Sequence, residues 1–269
     1  MKPAYRTFFA LKREPFAQEL AIEDIMKTPA LISVKDRFDY AVRLGAMALV
    51  TGEVGSGKST ALRWAASQLH PAEYRTLWIT ATSGSILELY RQLSSELEID
   101  TATPSRAVVT RIIRRQILEL TQAKKLKVVL IIDEASLLRL DVFAELHTIC
   151  QFEGDSKPLL PIMLAGQNNL VDLLLYRTSL PLSSRIIAKS HLEGVSRQDM
   201  GDYLSHHLKV AGISHNLFAD DATTAIHQAS GGILRRANHL ARGALIAAAN
   251  EKCQLVTAEH VRIASTELL

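Results

Sequence analysis

Short apolar or β-branched runs alternate along the chain with longer stretches in which apolar residues recur at every third or fourth position. The short runs predict buried strands and the longer spacing predicts amphipathic helices. Predicted strands lie at 47–51, 74–80, 127–134 and 159–168, with a last candidate at 186–188. Helices are predicted between them, at 60–69, 85–97 and 108–120 among others. This alternation is typical of an α/β fold with a parallel sheet core sandwiched by helices.

The strand pattern stops near Glu193, and the remainder of the chain has helical spacing only. Four helices are predicted there, at 197–211, 219–229, 233–250 and 257–268. We therefore expect three parts, which are an N-terminal segment (1–45) packed on the core, a core (46–192) and a small all-α lid domain (193–269).

The N-terminal segment carries an aromatic cluster, Tyr5, Phe8, Phe9 and Phe16. Such side chains are most often buried, so the cluster is expected to hold the segment against the rest of the domain. A wall of a nucleotide's base pocket is the alternative. A helix is also predicted at 33–43, with Ser33 as its candidate cap.

Composition fits a soluble globular chain of 269 residues, with 48% apolar and 22% charged residues and a net charge of +3. No apolar run reaches the roughly 18 residues of a membrane span, no secretory signal precedes the core, and the two cysteines lack metal-ligand spacing. We therefore expect a cytoplasmic protein with no membrane partner. Charge is locally uneven between residues 106 and 127, where seven bases accompany one acid: Arg106, Arg111, Arg114, Arg115, Lys124, Lys125 and Lys127 with Glu119.

Residues 52–59 fit the phosphate-loop pattern G-x-x-x-x-G-K-[ST], between a predicted strand and a predicted helix. Glycines let the backbone N–H groups approach phosphates, and the helix after the loop directs its positive end at the same anion. The expected nucleotide-binding residues are Gly52, Glu53, Val54, Gly55, Ser56, Gly57, Lys58, Ser59 and Thr60. Lys58 is expected to reach the β- and γ-phosphates of ATP, and Ser59 to ligate Mg²⁺. A flexible glycine turn before an ordinary helix is the alternative.

The predicted strand at 127–134 ends in two acids, Asp133 and Glu134. At the tip of a central parallel strand, Asp133 is expected to hold Mg²⁺ and Glu134 to activate the attacking water. The strand at 159–168 ends in two amides. Gln167 is the first candidate for a contact with the γ-phosphate or the water and Asn168 the second, while an amide that caps the next helix is the alternative.

Together these motifs resemble AAA+ ATPases of the general-secretion-pathway A (ExeA-like) group, and are close to the transposition ATPases related to phage Mu B protein. The resemblance covers nearly the whole chain, including the opening Tyr5-x-x-Phe8-Phe9-x-Leu11-x-x-x-Pro15-Phe16. It implies that Leu164–Gln167 is the sensor 1 strand and that Arg185 is an arginine finger; a pair with a surface acid is the alternative for Arg185. It also implies that Gly231–Arg236 is the sensor 2 motif, in which Arg235 contacts the nucleotide; a cap on a lid helix is the alternative for Arg235. Leu234 departs from the proline usual in the group.

The resemblance implies an ATP hydrolase that assembles head to tail as a ring or helical filament, because a finger acting in trans completes a neighbour's site. One function class is a DNA-binding regulator of transposition with double-stranded DNA and a transposase or other transposition protein as partners. Arg111, Arg114 and Arg115 are its candidate DNA contacts, with a solvated helix face as the alternative. The other class is a secretion-pathway assembly ATPase of the ExeA type. A metabolic nucleotide kinase is disfavoured, since the lid and arginine pair have no role there.

Overall fold

The computed structural model describes residues 4–100, 103 and 105–266, and they form two compact units. One unit, called here the sheet unit, consists of Thr28–Gly52 and Lys58–Leu192. The other, called the helical unit, consists of the described residues up to Lys27, of Glu53–Gly57 and of the chain from Glu193 onward.

Five parallel strands form the sheet, in the order β2-β3-β4-β1-β5. They are β1 (Met47–Gly52), β2 (Tyr74–Thr80), β3 (Lys127–Asp133), β4 (Ile162–Gly166) and β5 (Ile186–Leu192). The central strands are buried along nearly their whole length, which explains their uninterrupted apolar runs. The predicted α/β fold with a parallel, helix-covered sheet is confirmed.

Twelve α-helices are described. They are α1 (Ala4–Phe8), α2 (Pro29–Leu44), α3 (Lys58–Ser67), α4 (Ile86–Glu96), α5 (Arg106–Leu118), α6 (Leu140–Ile149), α7 (Asn169–Leu175), α8 (Leu180–Ser183), α9 (Arg197–Val210), α10 (Asp220–Ser230), α11 (Leu234–Asn250) and α12 (Ala258–Thr266). Short 3-10 helices lie at Ile22–Asp24 and Ala135–Leu137, and a short π-helical segment at Glu119–Ala123 extends α5.

Helix α2 begins earlier than the sequence pattern suggested. Thr28, not Ser33, caps it, since the Thr28 hydroxyl accepts a hydrogen bond from the Leu31 N–H at 3.2 Å. Pro29 is next, at the first helical position, where its missing N–H costs nothing.

The N-terminal segment is divided between the two units, which corrects the expectation that residues 1–45 pack together on the core. Helix α2 packs against α3 and β5 in the sheet unit. Tyr5, Phe9, Leu11 and Phe16 instead share one hydrophobic cluster with helices α9 to α12. The physical reason is that the buried faces of α9 and α11 leave an apolar surface which these aromatic rings fill.

Helices α11 and α12 pack closely because small side chains face each other. A β-carbon added at Gly243 would lie only 2.8 Å from the Cβ of Ala264. The neighbouring positions Ala241 and Ala244 are fully buried in the same cluster. Any larger side chain at Gly243 would force the two helices apart.

Candidate active site

Three adjacent strands bring the predicted site residues of the sheet unit to one edge. Strand β4 pairs with both β1 and β3, and its end, Gly166, is in register with Thr51. Because all three strands run in parallel, Gly52, Asp133 and Gln167 come at or just after their carboxyl ends. Ligands of open parallel sheets bind at this edge.

The phosphate loop ends where α3 begins, at Lys58. Lys58 is buried, and its Nζ donates to the Gly52 carbonyl at 3.0 Å, which holds the side chain along the loop. The Oγ of Ser56 is also buried, and it lacks a hydrogen-bond partner among the described residues. A buried hydroxyl without a partner costs free energy, so the residues here fit an anion that would accept this hydrogen bond.

Gly55 shows why the loop needs glycine at this position. Its φ is +88°, a left-handed conformation, and a β-carbon there would lie 2.6 Å from the Cβ of Arg235. The carbonyl of Gly55 also accepts a hydrogen bond from the Arg235 N–H at 3.1 Å. The start of α11 therefore lies directly against the phosphate loop, and the exposed Arg235 side chain begins there.

Leu234 occupies the first position of α11, so the helix begins as it would with the proline usual in the group. Its Cδ1 lies 3.6 Å from where a β-carbon of Gly57 would be. The departure from proline thus leaves the helix start in place.

Asp133 and Glu134 lie at the tip of β3 in different environments. Asp133 is buried, and its Oδ1 accepts the Glu134 N–H at 2.9 Å. Glu134 has φ +53° and ψ +32°, a left-handed conformation that is unfavourable for a glutamate. Such conformations are concentrated at functional sites, where the surrounding structure maintains them.

Gln167 is exposed just beyond β4, and its backbone N–H donates to the Ser136 Oγ at 3.3 Å. Ser136 is two residues after Glu134, so this hydrogen bond joins the tips of β3 and β4. Gly166 lies so close that a β-carbon there would be 2.9 Å from the Ser136 nitrogen. Asn168 stands at the N-cap position of α7 but makes no side-chain capping bond. Ser136 was not among the sequence candidates, since nothing in its local pattern marks it.

Arg185 lies near the amino-terminal ends of the strands, away from the carboxyl ends that carry the other site residues. It directly precedes β5, whose first residue is in register with Met47 at the start of β1, and its carbonyl accepts the Met47 N–H at 3.0 Å. Five residues of β1 separate this point from Gly52, a distance of about 16 Å. An arginine side chain cannot span that distance, so Arg185 does not reach its own phosphate loop.

The three candidate DNA-contacting arginines of α5 do not form one free face. Arg115 and Arg111 are exposed. Arg114 instead donates to the carbonyls of Thr148, at 3.2 Å, and Gln151. Its guanidinium also lies over the Phe152 ring, 5.1 Å from the centroid, in a cation–π contact. Arg114 therefore fastens the end of α6 to α5, which corrects its assignment to a solvent-facing basic patch.

One cluster outside this edge has the composition of a metal site: Glu251, Cys253 and His260, whose ligand atoms lie within 4.8 Å of one another. The Nδ1 of His260 accepts the Thr257 N–H at 2.9 Å, so in the neutral ring the hydrogen is on Nε2, which faces Glu251 at 3.2 Å. Both ring nitrogens of His260 are thus engaged, one by Thr257 at the start of α12 and the other by Glu251.

Comparisons with solved structures and with protein families agree with this geometry. Cdc6p of Pyrobaculum aerophilum superposes with a TM-score of 0.74 over 94% of this chain and 70% of that one, at 16% identity. The ORC1 protein of Aeropyrum pernix, solved in complex with DNA, gives 0.69 over 92% and 67%, at 17% identity. Residues 42–174 match the AAA domain family. The parallel sheet, the phosphate loop and these matches define an α/β fold of the P-loop type, with an AAA domain match over residues 42–174.

In sequence the chain is similar to the General secretion pathway protein A of Aeromonas hydrophila, with 32% identity over 253 residues. The alignment covers 91% of this chain and 45% of that protein, so the chain spans less than half of its relative's length. Among the described residues, no helix combines the length and the apolar character that a membrane crossing requires.

Proposed function

We propose that the carboxyl edge of the sheet binds ATP with Mg²⁺ and hydrolyses it. The observation that carries this proposal is the phosphate loop itself, in which the buried, unpartnered Ser56 Oγ and the buried Lys58 adjoin the start of α3. Backbone N–H groups of the loop would donate to the phosphates, and Lys58 would add a positive charge. The divalent ion would be held by Ser59 and Asp133 and would supply further neutralisation of the phosphates.

Glu134 is the proposed general base. Its carboxylate would orient and deprotonate the attacking water, and Gln167 would hold that water or the γ-phosphate. Arg235 is the proposed nucleotide contact from the helical unit, because its backbone already bonds to Gly55 of the phosphate loop.

Arg185 is the proposed arginine finger, acting on the nucleotide of a neighbouring copy. Support comes from its position at the amino end of β5, about 16 Å from its own phosphate loop. A cation supplied by a second protomer would make hydrolysis depend on head-to-tail assembly, as a ring or helical filament.

Double-stranded DNA is the proposed surface for this assembly, and a transposase or other transposition protein the proposed partner. The exposed Arg111 and Arg115 stand one helical turn apart and would neutralise backbone phosphates, independently of sequence. The fold is shared with ORC1 of Aeropyrum pernix, which was solved with DNA. Slow turnover that duplex DNA stimulates is expected in a cytoplasmic setting.

Mixing two inactive variants tests the shared site. Glu134→Gln lacks the base but keeps the finger, and Arg185→Ala lacks the finger but keeps the base. Each alone should hydrolyse ATP far more slowly than the wild type. Mixed in equal amounts with duplex DNA, they should recover about a quarter of wild-type turnover, because one interface in four joins an intact base to an intact finger.

Lys58→Ala mixed with Glu134→Gln serves as a control, which should recover no turnover, because both variants keep the finger but neither keeps an intact nucleotide site. No recovery in the first mixture, or full turnover by Arg185→Ala alone, would contradict a site shared between protomers. Equal recovery with and without DNA would leave ATP hydrolysis intact and reject DNA as the surface for assembly.

A secretion-pathway assembly ATPase is the second candidate. Its support is the 32% identity to the General secretion pathway protein A of Aeromonas hydrophila. ATP turnover that is the same with and without duplex DNA in the mixing experiment would favour this second candidate.

A further inference from the structure

The guanidinium of Arg185 is held by two side chains from one stretch of the sheet unit. Its Nη2 lies 2.6 Å from both carboxylate oxygens of Asp155. Its Nε donates to the Nδ1 of His147 at 3.1 Å. The other ring nitrogen of His147, Nε2, lies 3.0 Å from the amide nitrogen of Gln151. Arg185 is only about one quarter exposed in this arrangement.

Asp155 is presented by a braced loop. Glu153, Gly154 and Asp155 have φ values of +46°, +66° and +68°, so three successive residues are left-handed. Phe152 and Lys157 form a bridge at its base, and Lys157 pairs with Glu153 at 2.8 Å. Aspartate tolerates a left-handed backbone better than most residues, so the loop can keep a carboxylate at this point.

The base of this loop is anchored from a second direction. Arg114 of α5 covers the buried Phe152 ring and donates to the carbonyl of Gln151. The loop is therefore fixed at its base, while Asp155 itself is 44% exposed at its tip. A partner that competes for Arg185 would therefore displace the carboxylate of Asp155 at the tip while the base of the loop stays in place.

We propose that Asp155 is a latch on Arg185, an inference that rests on the proposed action of Arg185 in trans. In the separate protomer the carboxylate neutralises the guanidinium that a neighbour's site requires. On assembly the γ-phosphate of the neighbour's nucleotide replaces the carboxylate, since two anions crowded against one guanidinium repel each other. The loop thus keeps the finger out of use until a loaded neighbour is present.

The size of the effect is set by the strength of the pair. Part-exposed arginine–carboxylate pairs shift a local equilibrium about three- to fivefold. Loss of the carboxylate should raise the fraction of released Arg185 by that factor, and turnover should rise with it wherever release limits assembly.

Asp155→Asn tests the latch, because asparagine preserves both the shape of the side chain and the left-handed backbone. ATP turnover is measured against protein concentration with duplex DNA. At concentrations where the wild type is mostly unassembled, Asp155→Asn should turn over about three- to fivefold faster. Asp141→Asn is the matched control, because Asp141 also pairs with an arginine, Arg139, in the sheet unit. It should behave as the wild type does.

A second arm places the effect on Arg185. In an Arg185→Ala background, Asp155→Asn should add nothing. A rise of the same size there, or slower turnover by Asp155→Asn alone, would overturn the latch; slower turnover would mean that Asp155 holds the finger in its active position.

A double-mutant cycle of urea unfolding separates this idea from the proposed function. The two substitutions should couple by about threefold in the unfolding constant. Coupling together with full turnover by Arg185→Ala would reject the finger, and with it the regulatory role, while the ion pair remains. Additive effects on unfolding would reject the latch even where the finger is established.

Discussion

One buried histidine of the helical unit, His207, offers a quantitative test of the packing around it. His207 is 4% exposed on α9, stacked on the Phe16 ring at 5.2 Å and in edge contact with Tyr203 at 4.4 Å. Burial, with a smaller contribution from neighbouring His206, lowers the pKa of His207 from its ordinary 6.5 to about 4. The substitution to examine is His207→Phe, which keeps an aromatic ring against Phe16 and removes the titration.

The sign of the effect is fixed by proton binding. The unfolded chain protonates this histidine near pH 6.5, whereas the folded protein does so only near pH 4. Acidification therefore favours the unfolded state, and the loss of stability begins near pH 6.5 and is complete near pH 4. The expected cost from this group is about 2 kcal/mol at pH 5 and about 3 kcal/mol at pH 4, relative to pH 7.

Urea unfolding followed by circular dichroism at several pH values measures this cost. Tryptophan fluorescence follows the unfolding of the sheet unit separately, because Trp64 and Trp78 both lie there. The wild type should lose about 2 kcal/mol more than His207→Phe between pH 7 and pH 5. His239→Gln, which removes an exposed histidine of the same unit, should follow the wild type. Equal losses in the wild type and His207→Phe would refute the argument that His207 is held neutral by burial.

Two further predictions concern the sheet unit and the cysteines. Ser136→Ala removes the hydroxyl that accepts the Gln167 N–H, so ATP turnover should fall about three- to tenfold with nucleotide affinity retained. Steady-state kinetics measure this change. An unchanged kcat would contradict a role for Ser136 in placing Gln167. Burial raises the pKa of the Cys150 thiol to about 12, so about one molecule in ten thousand has a Cys150 thiolate at pH 8. A thiol reagent should therefore label only the part-exposed Cys253 until urea is added. Rapid labelling of two thiols in the native protein would count against that burial.

Local pattern was enough to locate the central elements. Strand β2 begins and ends where the sequence predicted, because its β-branched and aromatic residues stand between polar turns. Strand β5 runs to Leu192, four residues beyond its predicted end. It lies at the sheet edge, and its exposed Lys189 and His191 interrupt the apolar run by which a strand is recognised. The true start of α2 was visible in Thr28-Pro29, a cap with a first-turn proline directly after it.

The contacts that the sequence could not give are those between distant positions. Asp155 meets Arg185 across 30 residues, and nothing in the sequence around Asp155 marks it as the partner. Arg114 looked like part of a basic helix face because charge patterning says nothing about the carbonyls that end another helix. For the same reason, the aromatic residues near the amino terminus were recognisable as buried, but not the surface that buries them.

That last arrangement has a consequence for synthesis on the ribosome. The carbonyl of Phe16 bonds to Arg242, 226 residues further along the chain, and the rings of Tyr5, Phe9 and Phe16 are covered by helices that are made last. At ordinary translation rates these rings wait roughly ten to forty seconds for their partners, while the whole sheet is completed between them. A nascent chain stalled before α9 would thus expose the apolar rings of its N-terminal segment, to which a chaperone at the tunnel exit could bind.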